Sequence, residues 1–108
     1  MDTRTVEYLM LLGYLYLRHG QGARAVTALE AARIFRRDDR QLGRTLAYAY
    51  LSAGRFDDCL RSIDRLGLKD DRHLALIRSR ALWGMGREDE ARRMMAAVKG
   101  DLRSSDGG

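Results

Sequence analysis

The 108-residue chain has no proline, one cysteine, one tryptophan, two phenylalanines and two lysines. Without proline nothing need interrupt a helix internally. With Cys59 alone an intrachain disulfide is impossible, and no cysteine pair exists for a metal site. No apolar run reaches the roughly 20 residues of a membrane span. The longest, Tyr8 to Leu17, has ten residues, one of them Gly13. That run is a poor secretion signal, although Arg4 precedes it and Ala23-Arg24-Ala25 follows as an A-x-A pattern. Asp2 and Glu7 spoil the positive n-region, and the run also belongs to a repeat that cleavage would destroy. The chain is 45% hydrophobic and 32% charged, which excludes a disordered tail and predicts one small domain.

Basic residues exceed acidic ones by five, and arginine supplies 18 of the 20 cations. Arg33, Arg36, Arg37 and Arg40 cluster, but Asp38 and Asp39 lie among them, and Asp57, Asp58 and Asp64 interleave with the arginines further on. The pattern predicts a solvated, salt-paired surface, and no aromatic side chains interleave to stack bases. Nucleic acid is therefore not an expected partner.

Sliding the chain by 34 residues sets Leu12 on Leu46, Gly13 on Ala47, Tyr16 on Tyr50, Gly20 on Gly54 and Ala25 on Cys59. A further slide of 32 sets Gly54 on Gly86, Tyr50 on Leu82, Ala47 on Ser79 and Cys59 on Ala91. Each copy reads as two helices and a tight turn: 4–19 and 22–36, 40–53 and 56–66, 71–85 and 88–99. Gly20, Gly54 and Gly86 mark the turns, where glycine takes the left-handed conformation that ends a helix. Asp38-Asp39 and Asp70-Asp71 stand where acids cap a helix start, and Gly67-Leu68-Lys69 reads as a loop between copies. Small residues at Gly13, Ala25, Ala47 and Ala91 predict closely packed helix pairs, with Leu12, Tyr16 and Tyr50 on the packing face.

The spacing and these residues resemble the tetratricopeptide repeat (TPR) family, whose period is 34 residues. The resemblance rests on Leu12-Gly13-x-x-Tyr16, Gly20, Ala25 and Ala32, then on Leu46-Ala47-x-x-Tyr50 and Gly54. The third copy departs from it at Arg78, and Arg37 and Asp71 stand where the family places a proline. The expected fold is all-α: three stacked helix-turn-helix hairpins in one domain over 1–102, with repeats near 5–38, 39–70 and 71–102 and a flexible tail over 103–108.

Catalysis is not expected. His19 and His73 are far apart in the repeat map, no HExxH is present, and Gly20-x-Gly22 lacks the strand and third glycine of a dinucleotide loop. Glu88 and Glu90 suit a helix first turn, and Cys59 reads as a packing residue because its repeat equivalents are alanines. No cofactor, metal or small-molecule substrate is implied.

The resemblance to TPR proteins implies a concave face lined by the first helix of each pair. The face turned away from Leu12 and Tyr16 carries Met10, Tyr14 and Leu17 in copy one, Arg44, Tyr48 and Leu51 in copy two, and Leu76, Arg80 and Trp83 in copy three. These nine residues form the expected partner groove, with Arg44 and Arg80 pairing an acidic flank of the occupant. The groove could instead be filled by a folded-back terminus or a second copy. Met10 and Tyr14 stand where TPR domains that hold acidic chaperone tails carry a Lys/Asn carboxylate clamp, so that activity is not expected.

The stretch from Glu7 to Leu15 is similar to the opening of the short Y-type chaperones of bacterial type III secretion. That resemblance implies a cytoplasmic bacterial chaperone forming a heterodimer with a small exported X-type component. It also implies presentation of the pair to the export-gate protein at the inner membrane, with no insertion into the membrane. A needle-subunit or translocator chaperone, or a general TPR scaffold, are the alternatives.

Overall fold

The computed structural model describes residues 2–67 and 71–107, with side chains as far as Val98. All the regular structure among them is helical: α1 (Thr3–Arg18), α2 (Gly22–Phe35), α3 (Arg40–Ser52), α4 (Phe56–Leu66), α5 (Arg72–Gly84) and α6 (Glu88–Gly107). The first five agree with the repeat pattern to within a residue or two. The sixth continues past the expected end at 99, over residues assigned to the tail, where no proline stops it. Leu68, Lys69 and Asp70, which belong to the expected loop and cap, lie outside the described residues.

Local chemistry sets the ends. Asp2, Asp39 and Asp71 each accept a hydrogen bond from the backbone N–H three residues on, at Thr5, Leu42 and Leu74 (2.9, 3.0 and 3.1 Å). The turns recur with the sequence period. The N–H groups of Gln21, Arg55 and Arg87 bond the carbonyls of Tyr16, Tyr50 and Leu82 at 2.8, 2.8 and 2.9 Å. This is the six-to-one bond that closes a helix around a left-handed residue. Gly20, Gly54 and Gly86 supply that residue, with φ of 71°, 74° and 79°.

Adjacent helices pack as pairs, α1 with α2, α3 with α4 and α5 with α6, and α2 and α4 also pack on the helices that follow them. The stack measures 47 × 32 × 23 Å and has a radius of gyration of 15.0 Å. A sphere-like domain of this length would have about 13 Å, so the fold is more elongated than a sphere. The core runs through it: Val26, Leu29, Leu42, Leu46, Cys59 and Leu74 are fully enclosed. The small residues stand at the close approaches as expected, with Gly13, Ala25, Ala47 and Ala91 all buried. Ser79 donates to the Ala91 carbonyl at 3.2 Å and ties α5 to α6.

The first copy departs from expectation. Leu12 and Tyr16 are only half-buried, whereas their equivalents Leu46 and Tyr50 are enclosed. Of α1, only Val6 and Gly13 are buried. The cause is position: α3 and α5 have helices on both sides, and no described helix lies before α1.

Candidate functional site

An open cleft of about 510 Å³ lies between α1, α3 and the start of α5. Tyr14 and Leu17 line it from α1, Gln41, Arg44, Thr45 and Tyr48 from α3, and Asp71 and His73 from the α5 start. The four α3 residues fall at i, i+3, i+4 and i+7, one stripe of a helix. Thr45 turns its hydroxyl back to the Gln41 carbonyl at 2.9 Å, which leaves its methyl for the cleft wall.

Electrostatically the cleft is organised by one ion pair. Arg44 Nη2 lies 2.6 Å from Asp71 Oδ2, while the other carboxylate oxygen of Asp71 caps α5. Burial works to raise the Asp71 pKa, but the Leu74 N–H and the Arg44 guanidinium together hold it below the usual carboxylate range. One side chain thus fixes both the start of α5 and the guanidinium of α3. The Nε of Arg44 is buried and has no hydrogen-bond partner among the described residues.

The structure brings together four of the nine expected groove residues: Tyr14, Leu17, Arg44 and Tyr48. The other five are not in the cleft lining. Met10 packs partly on the core and receives a long contact from Arg36 Nη1 to its sulfur, at 3.9 Å. Leu51 also packs on the core. Leu76 and Arg80 are exposed, and Trp83 is 52% exposed with the Arg92 guanidinium 5.9 Å from its ring centre. In sequence Arg44 reads as awaiting an acidic partner; in the fold it already has one in Asp71. Gln41, Thr45, Asp71 and His73 join the site without a place in the expected groove. The first two are legible from helical spacing around Tyr48. The last two arrive through the joint between copies, whose path no periodicity specifies.

The arginine surface also differs in part from expectation. Asp58 pairs with Arg61 and Arg55 at 2.5 and 2.9 Å, and Asp64 pairs with Arg78. Arg36, by contrast, reaches Glu7 on α1 at 3.7 Å, not the neighbouring aspartates. Cys59 is fully buried and burial pushes its thiol up to about 11, as suits a packing residue. Among the described residues no group of three or more His, Cys, Asp or Glu is placed to hold a metal ion, and no helix is long and apolar enough to cross a membrane. In comparisons with known proteins, no family model and no curated protein matches this chain.

Proposed function

We propose that this chain is a TPR-type protein-binding module whose cleft between α1 and α3 receives an apolar helical segment of a client protein. The observation that carries the reading is the pairing of Tyr14 and Leu17 with Tyr48 across one open cleft. Two aromatic rings and an aliphatic side chain, edged by polar groups, suit a helix with an apolar face. The recurring turn geometry at Gly20, Gly54 and Gly86 supports a TPR-type arrangement of the three pairs.

The client reading follows from the likeness of the Glu7–Leu15 stretch to the Y-type secretion chaperones. The client is then a small exported component of type III secretion, held in the bacterial cytoplasm until the pair meets the export gate. The cleft would bury apolar client surface that otherwise aggregates. The client would stabilise this small domain in turn, because a ligand that binds only the folded state adds to its stability. With Arg44 already paired to Asp71 and Arg80 outside the cleft lining, the client segment needs no acidic flank.

The test is photo-cross-linking in the native cells, with a benzoylphenylalanine replacing Tyr48 or, as control, Arg33. Position 48 should capture a small exported helical protein and position 33 should not. Equal capture at both positions, or none at 48, would defeat the cleft. Capture at 48 of a protein that is not exported would leave the binding site standing and remove the secretion role.

A further inference from the structure

The open end of the stack carries an apolar stripe with a charge at each end. Tyr8, Leu11 and Leu15 of α1 are 62%, 55% and 42% exposed. They are not scattered surface residues, because the repeat shows what their positions do elsewhere. Moved by 34 residues they become Leu42, Thr45 and Ala49; moved on by 32 they become Leu74, Ile77 and Ala81. Leu42 and Ala49 have no exposure, Thr45 is half-buried, and Leu74, Ile77 and Ala81 are buried. The difference is the neighbour: α2 lies on α3 and α4 lies on α5, and no described helix lies on this side of α1. The stripe is the seat of a helix that the described residues do not supply.

The seat also specifies polarity and charge. At the far end of α3, a Cβ on Gly22 would come within 2.8 Å of the Ser52–Ala53 backbone, so the start of α2 abuts the end of α3. The Phe56 ring at the start of α4 likewise crowds Gly84 at the end of α5. The covering helix therefore begins beside the end of the helix it covers. On α1 that end is Arg18. Residues 4, 8, 11, 15 and 18 follow the alternating four-and-three spacing of a single helical seam, which puts Arg4 and Arg18 at its two ends. Neither has an ion-pair partner among the described residues. They are about 21 Å apart along the axis at 1.5 Å per residue.

We infer that α1 docks an amphipathic helix of another protein, antiparallel to α1, with an apolar stripe facing Tyr8, Leu11 and Leu15 and carboxylates in its first and last turns facing Arg18 and Arg4. An acidic first turn is favoured twice, by Arg18 and by the helix's own dipole. A second copy of this chain does not fit. Two α1 helices laid antiparallel set Arg4 against Arg18 at both ends, and laid parallel set each against itself. The described part of α6 is a poor match, since it presents the mixed charges of Glu88, Asp89, Arg92 and Arg93 to solvent. The seat is separate from the cleft and stands whether or not the cleft binds a client.

The probe is a fluorescein-labelled synthetic helix of about 18 residues, matched to the length of α1. It carries leucine and alanine at i, i+3, i+4 and i+7 and glutamates in both end turns; its twin has lysines for the glutamates. Titrated with the full chain at low salt, the glutamate probe should bind, and the lysine twin should bind about tenfold more weakly or worse. The double variant Tyr8→Ser/Leu11→Ser should lose at least about tenfold, and its fold should survive because both side chains are already in water. Arg4→Glu/Arg18→Glu should reverse the preference between the twins. Tyr48→Ala should leave all of this unchanged, which separates the seat from the cleft. Failure of the glutamate probe to bind, equal binding of the twins, or loss with Tyr48→Ala in place of Leu11→Ser would overturn the inference. So would a wild-type dimer in sedimentation that Leu11→Ser dissociates, for then the occupant is a second copy.

Discussion

Replacing Gly13 by alanine tests the closest approach in the stack. A Cβ at that position would lie 2.5 Å from Leu29 Cγ and 2.6 Å from Leu29 Cδ2, about 1 Å or more inside ordinary carbon contact. Leu29 has no exposure and is enclosed by the core, so it has nowhere to go. Overpacking of this kind costs about 1–3 kcal/mol. Against it, alanine is favoured over glycine in a helix interior by about 1 kcal/mol. The net expectation is a loss of roughly 1–2 kcal/mol, a measurable share of the about 5–15 kcal/mol that holds a domain folded. Gly43 is the control. Its Cβ would meet Leu66 Cδ2 at 2.6 Å, but Leu66 is half-exposed at the end of α4 and its methyl can swing aside. Gly43→Ala should be neutral or stabilising by up to about 1 kcal/mol. Urea unfolding followed by circular dichroism at 222 nm reads both. Adding Leu29→Ala sharpens the test, since the cavity it leaves, costing about 2–5 kcal/mol alone, has room for the methyl that Gly13→Ala introduces. The double variant should be at least as stable as Leu29→Ala, a coupling of roughly 1–3 kcal/mol. Gly13→Ala raising stability, with effects that simply add, would refute the packing argument.

Tyr50, which is 4% exposed, should cost about 3–5 kcal/mol on truncation to alanine, and half-buried Tyr14 should cost much less; similar melting of the two variants would mean the faces of α1 and α3 are misassigned. Asp71→Asn should destabilise the protein at neutral pH by removing the charge that caps α5 and holds Arg44. The folded-state pKa of Asp71 lies below the ordinary 3.8, so its contribution is fully present above 3.8 and is lost as pH falls through the folded value. The stability gap between wild type and Asp71→Asn, measured by urea unfolding across pH, should therefore narrow below about pH 4.

The helices are legible in the sequence because several signals agree at each boundary. At Gly20 and Gly54 the glycine, the 34-residue spacing and the aromatic four residues earlier all point to one turn, and the same hydrogen bond closes both. Asp39 and Asp71 are legible as caps for the same reason. The site is half legible. Helical spacing gathers Tyr14 with Leu17 and Arg44 with Tyr48, because residues on one stripe of one helix stay together whatever surrounds them. It does not say how far the third pair is turned from the second, so Leu76, Arg80 and Trp83 fall in a row from which the structure leaves them out. Nor does it see an ion pair across elements. Arg44 reads as a free cation in a list of residues and is bound to Asp71 once α5 is in place. The groove alone does not account for the apolar character of α1, since Tyr8, Leu11 and Leu15 are exposed outside the cleft lining.

The cleft between Tyr14 and Tyr48 is the centre of the functional account, and a binding titration tests it most directly. The protein that co-purifies from native cells is labelled and titrated with wild type, Tyr48→Ala and Arg33→Ala, with helical content checked for each. Truncating a central aromatic anchor commonly loses about 2–4 kcal/mol, or roughly 30- to 1,000-fold in affinity. Tyr48→Ala should therefore abolish or nearly abolish binding with its helices intact, and Arg33→Ala should bind as wild type does. Equal loss from the two variants, or full affinity in Tyr48→Ala, would contradict the account.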